Sequence, residues 1–136
     1  MDYKEYFLSI NAKKQIEKAI KKYQNKRVVF YGAGEFFLAL KDEFDLSDFN
    51  IVGIADKSFI NIDSPVYDEK LQYNVISPLY IQALNPDIVL STALKYCVIE
   101  EYFNKVLFKK IGYRFKYATL LDETFEQKLI KEWDSF

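Results

Sequence analysis

Two of the chain's four glycines, Gly32 and Gly34, are separated by a single residue. They follow the run Arg27-Val28-Val29-Phe30-Tyr31 and precede Glu35-Phe36-Phe37-Leu38-Ala39-Leu40-Lys41. A short β-branched and aromatic run, a glycine turn and an apolar helical run, in that order, is the setting in which a G-x-G can hold a phosphate. The first glycine permits the tight turn, and the second lets an anion approach the backbone. The unpaired N–H groups and the positive end of the helix dipole favour negative charge at that point. About two dozen residues on, Asp56 ends a second strand-like run, where a carboxylate can accept hydrogen bonds from ribose hydroxyls. The expected binding residues are therefore Gly32, Ala33, Gly34, Glu35 and Asp56, with a nucleotide as ligand.

Two side chains pull against that reading. The third glycine of a full G-x-G-x-x-G falls on Phe37, where glycine would let the helix pack close to the strand. The ring must push the helix away or turn elsewhere. Glu35 lies in the first helical turn, where its charge already complements the dipole. At 4–6 Å in a partly screened site it would repel a phosphate by on the order of 1–4 kcal/mol. Two readings stand: a nucleotide phosphate held at residues 32–35, or a bare strand-to-helix turn capped by its own glutamate.

Other candidates are sparser. Ser91 and Thr92 follow the run Asp87-Ile88-Val89-Leu90, at the sheet edge where ligands of open α/β sheets bind. Their hydroxyls either reach a phosphate or sugar or cap the next turn. Lys57, beside Asp56, could meet a phosphate or simply sit in solvent. Histidine is absent and Cys97 is the single cysteine. This excludes imidazole-dependent nucleophiles, an internal disulfide framework and a cysteine zinc site. A thiol nucleophile needs a base or cation nearby, so Cys97 reads as a small packing residue. The chain has no Tyr-x-x-x-Lys pair, and the adjacent Lys95 and Tyr96 would point different ways on a helix. The sequence therefore yields no catalytic or metal-ligating residues, and a free-standing enzyme is the weakest reading.

The elements that must position these residues follow from periodicity. Ile16, Ala19, Ile20 and Tyr23 recur at helical spacing and predict a helix over 11–24, with Asn11 as N-cap, Asn25 as stop and a solvated lysine face. The runs 27–31 and 50–55 read as strands buried on both faces of a parallel sheet. Residues 56–74 are polar and turn-rich, the least ordered-looking part of the chain. A third strand is expected at 74–76. Ser77-Pro78 then opens a helix that closes at Asn85-Pro86, and a fourth strand spans 87–91. Ile99, Tyr102, Phe103, Val106 and Leu107 mark an amphipathic helix with Gly112 at its C′ position. A fifth strand is expected at 114–120, and Asp122 caps a last helix. The sum is an α/β fold: one domain over 1–136, a Rossmann-like doubly wound parallel sheet of about five strands in the order 3-2-1-4-5, with an extra N-terminal helix.

Composition agrees. With 136 residues, half of them apolar, 12 Phe and 11 Tyr, the chain fills one domain and is not a disordered one. Nineteen Lys and Arg against 20 Asp and Glu leave a net charge of −1, which draws it neither to nucleic acid nor to an anionic membrane. The longest apolar run, Phe36 to Leu40, is far short of the ~20 residues of a membrane span. The mixed-charge start does not read as a secretory signal. These features predict a cytoplasmic protein. Its large apolar side chains are expected in the core or at an oligomer surface such as a homodimer.

The stretches 29–35, 51–56, 75–78 and 86–91 together resemble the small Rossmann-like domain of bacterial polysaccharide-biosynthesis proteins. That domain precedes the catalytic part of nucleotide-sugar dehydratases and epimerases of the CapD type. Related copies occur with sugar acyltransferases and beside methyl- and glycosyltransferases. The resemblance spans about Lys26 to Leu120. It implies a nucleotide pocket framed by Gly32, Ala33, Gly34, Glu35 and Asp56, with NAD(P) or a nucleotide-sugar as ligand and a carbohydrate-biosynthesis enzyme as partner. Many relatives carry glycine where this chain has Phe37. The expected function is a stand-alone nucleotide or nucleotide-sugar binding module. The alternative is a degenerate Rossmann-like interaction or dimerisation domain without a nucleotide.

Overall fold

The computed structural model describes residues 2–92 and 96–122. Its frame is β1, Arg27–Tyr31, whose last four residues are buried. Successive strand side chains point to opposite faces. Val28 and Phe30 enter one apolar core and Val29 and Tyr31 the other. A strand without a polar face needs cover on both sides, and the helices supply it.

β1 pairs in parallel with β2, Asn50–Ala55, on one side and with β5, Ile88–Ser91, on the other. β4, Tyr73–Ile76, lies outside β2, and β6, Tyr117–Thr119, outside β5, both parallel. One further strand, β3 (Val66–Asp68), pairs antiparallel with β4. The sheet thus has six strands in the order β3-β4-β2-β1-β5-β6. It is mixed rather than wholly parallel, and the expectation of five strands in the order 3-2-1-4-5 is corrected by this additional edge strand. The cause is local. The Asp68 carboxylate accepts from Leu71 N–H at 2.9 Å and its carbonyl from Gln72 N–H at 2.7 Å. Gln72 takes a left-handed φ of 64°. A tight hairpin forms inside the segment that reads as the least ordered.

The expected N-terminal helix is present, and a further helix, not expected, precedes it. α1, Tyr3–Ser9, is capped by the Asp2 carboxylate accepting from Glu5 N–H at 3.2 Å. α2, Ala12–Lys22, follows a break at Asn11, whose φ is 53°. Asn11 holds the N-cap position without a side-chain cap bond. Phe7, Ile10, Ala12 and Ile16 join the first core beside α3, Glu35–Glu43. On the opposite face lie α4, Ile81–Leu84, and the long helical stretch from α5, Tyr96–Tyr102, through a π turn at Phe103–Leu107 to α6, Phe108–Ile111. The Asn104 amide donates to the Glu100 carbonyl at 3.0 Å within that π turn, a side-chain insertion of the kind that loosens the helical ladder. Ser77 caps the turn at Pro78–Tyr80 that leads into α4, as expected, and Asn85 (φ 46°) and Gly112 (φ 64°) end their helices. The helix expected after Asp122 lies outside the described residues. No helix among the described residues is long and apolar enough to cross a membrane.

Candidate functional site

β1 continues through a glycine turn into α3 on the first face, whereas β5 leads to α5 on the second. Where neighbouring strands send their helices to opposite faces, a crevice opens beyond their carboxyl ends. A cleft of about 510 Å³ lies there, lined by Tyr31, Gly32, Gly34, Glu35, Phe36 and Phe37, by Asp56 and Lys57, by Thr92, by Val98, Ile99 and Tyr102, and by Tyr3.

The turn that forms its floor is tied down from three sides. Gly32 has a φ of 119°, which side chains other than hydrogen rarely allow. Its N–H donates to the Ala55 carbonyl at 2.8 Å. The Asp56 carboxylate accepts from Ala33 N–H at 2.7 Å through one oxygen, and from Ser58 N–H and Oγ, both at 2.9 Å, through the other. Just past β5, the Thr92 hydroxyl donates to the Gly32 carbonyl at 3.0 Å. Asp56 therefore stands where the sequence puts it, at the cleft, but its oxygens first hold the glycine turn rather than waiting for a ribose. Thr92, likewise at the cleft, has its hydroxyl committed to the turn.

The remaining expected residues divide. Gly34 is the N-cap of α3 and no side chain caps it. A Cβ built on Gly34 would meet nothing within 4 Å, so the space over the helix end is open. Glu35 is exposed at the cleft. Ser91 is fully buried within β5 and does not line the cleft. Phe37 resolves the missing-glycine problem by turning into the first core. It is fully buried, its ring edge-on to Phe30 with centroids 5.9 Å apart. Cys97 is exposed, not a packing residue. Phe103 and Phe108 are core, as expected, whereas Phe36 and Tyr102 also wall the cleft. Trp133, another of the large apolar side chains expected in the core or at an oligomer surface, lies outside the described residues.

Periodicity had no means of singling out Tyr31. It is 3% exposed, and its buried hydroxyl meets no partner at hydrogen-bond geometry among the described residues, although the Tyr102 hydroxyl lies close enough to act on it. Its ring meets Phe103 edge-on at 4.9 Å and Tyr102 at 6.3 Å. Burial first, then the Tyr102 phenol and the Asp56 carboxylate, hold the Tyr31 phenol protonated far above its ordinary range. Lys57 reaches across the cleft, its Nζ 5.3 Å from the centre of the Tyr102 ring. The one signal in the sequence was a polar-tipped aromatic placed immediately before the glycine turn.

The arrangement offers an uncapped helix end, the Lys57 cation and one buried donor around a mostly apolar cleft. Among the described residues no group of His, Cys, Asp and Glu could hold a metal ion. No protein-family model, curated protein or solved structure matches this chain.

Proposed function

We propose that the cleft binds a nucleotide or nucleotide-sugar, with a phosphate at the amino end of α3. The observation that carries this is the open, uncapped helix end at Gly34, facing a cleft at the crossover point of the sheet. Its N–H groups and dipole attract an anion, and Lys57 can leave the Tyr102 ring to add its charge. Glu35 is exposed and free to rotate into solvent, away from a phosphate. The cleft volume falls within the range of small-molecule sites, which are mostly apolar with a few aimed polar groups. The motif resemblance suggests NAD(P) or a nucleotide-sugar, in bacterial surface-polysaccharide biosynthesis. No catalytic step is part of the proposal.

A second reading is favoured by the glycine turn itself. Asp56 and Thr92 satisfy it internally, as they would in a scaffold that has lost its ligand and serves as an interaction or dimerisation module. Thermal shift with NAD, NADP, CoA and UDP-sugars separates the two. A ligand at 100 times its Kd should stabilise the fold by ~2.7 kcal/mol. Gly34→Val should keep the fold, because its Cβ meets nothing, and abolish that shift by filling the approach to the helix end. No shift with any nucleotide, together with a stable dimer by light scattering, supports the interaction module.

A further inference from the structure

The Tyr31 hydroxyl is a buried polar atom with no partner at hydrogen-bond geometry among the described residues, the Tyr102 hydroxyl acting on it only from nearby, and such groups are uncommon because leaving one unpaired costs free energy. Tyr31 belongs to the second core and also lines the cleft. Of the groups that act on it, Tyr102 and Asp56 both line the cleft. We infer that the Tyr31 hydroxyl is a ligand-binding group, donating to an uncharged acceptor oxygen, a carbonyl or hydroxyl, on the base or sugar part of the bound molecule. This rests on the nucleotide reading of the same cleft.

Three observations fix the class of acceptor. Tyr31 points to the second face of the sheet, towards Phe103 and Tyr102, whereas the helix end that would hold the phosphate belongs to the first. A single ligand spanning both therefore brings its non-phosphate part to Tyr31. That end of the cleft is aromatic and aliphatic, formed by Tyr102, Ile99 and Val98, a lining suited to a ring rather than to a second anion. The Asp56 carboxylate is close enough to disfavour negative charge on the Tyr31 oxygen, and it would disfavour a second phosphate in the same place. The Tyr102 ring lies beside that of Tyr31, with centroids 6.3 Å apart, and its phenol acts on the hydroxyl. Tyr102 is partly exposed, and its rotation would open the way to the hydroxyl as the ligand enters.

Calorimetry on wild type and Tyr31→Phe, with UDP-glucose, NAD and inorganic pyrophosphate, tests this. The expected result is a loss of about tenfold or more in affinity for the nucleotide that wild type binds, and an unchanged affinity for pyrophosphate. The free Tyr31→Phe protein should unfold at the same temperature as wild type or higher, since it loses a buried hydroxyl that meets no partner at hydrogen-bond geometry. Unchanged nucleotide affinity overturns the inference while leaving the nucleotide reading intact. So does an equal loss for pyrophosphate, which would put the phenol at the phosphate. A lower unfolding temperature for free Tyr31→Phe also overturns it, because the hydroxyl would then have its partner within the fold. If wild type binds neither nucleotide, the nucleotide reading fails and this inference with it.

Discussion

The two ends of β1 are built on opposite terms. At the amino end, Arg27 N–H donates to the Asp87 carboxylate at 2.7 Å, Asp87 N–H returns a bond to the Arg27 carbonyl at 2.9 Å, and the Arg27 guanidinium donates to the Leu84 carbonyl at 2.7 and 3.2 Å. That end is closed by bonds the chain supplies to itself. At the carboxyl end the glycine turn is equally well held, but beside it stand an uncapped helix end, open space over Gly34 and a buried hydroxyl that meets no partner at hydrogen-bond geometry. Among the described residues the buried side-chain polar atoms are satisfied almost everywhere, and the exception, the Tyr31 hydroxyl, stands at this end. The difference separates what holds the sheet together from what could meet another molecule.

The contrast can be broken by mutation. The largest effect is expected from Asp56→Ala, which strips three hydrogen bonds from the turn and leaves the part-buried Ala33 N–H without its partner. A loss of about 2–3 kcal/mol is expected, read as a lower urea midpoint at constant m-value. A change below about 0.5 kcal/mol would mean that the turn holds its shape without the carboxylate. At the other end, Asp87→Ala removes one exposed cap bond, and water can replace it. About 0.5–1 kcal/mol is expected, with no effect on any nucleotide-induced shift. If Asp87→Ala abolished that shift, the two ends would not be separable.

The smallest effect is a pH dependence that sharpens the same contrast. Burial pushes the Tyr96 phenol up to about 12, with Glu100, Tyr117 and Tyr23 adding to it, and Tyr31 is raised further by burial and by Tyr102 and Asp56. Both groups are held protonated in the fold more firmly than in the unfolded chain, whose tyrosines titrate near 10.0. Their contribution is present in full below that pH and is lost as pH rises through the folded values. Denaturation midpoints should therefore fall above about pH 10. Tyr31→Phe should lessen the fall, and Asp87→Ala should leave it unchanged.

Much of the fold was legible because its signals are local. Ser77-Pro78, Asn85 and Gly112 mark helix ends through backbone chemistry that needs no distant partner. The first helix carries equally local signals. Tyr3, Tyr6, Phe7 and Ile10 carry the i, i+3, i+4, i+7 spacing that identified the helix after Asn11, and Asp2 stands three residues before Glu5 as a cap. β3 was harder to see. Val66-Tyr67-Asp68 is too short to show alternation, and its strand state depends on β4 being there to pair with it. Phe37 marked a departure from the glycine pattern, but not where its ring would go. The partner that receives it, Phe30, is fixed only when helix and strand pack.

What the sequence determined by itself is the alternation of strands and helices and the position of a turn that only glycine at 32 fits, because backbone angles, caps and apolar periods are set by near neighbours. What the tertiary structure decided is how that turn is used. Asp56 meets Ala33 across 23 residues and Thr92 meets Gly32 across 60. The Tyr31 hydroxyl is buried beside Tyr102 and Phe103 only when the helices of the second face stack on β1. Hydrogen bonds between distant residues, and their absence, depend on how the layers stack, and no local pattern of residues encodes that distance.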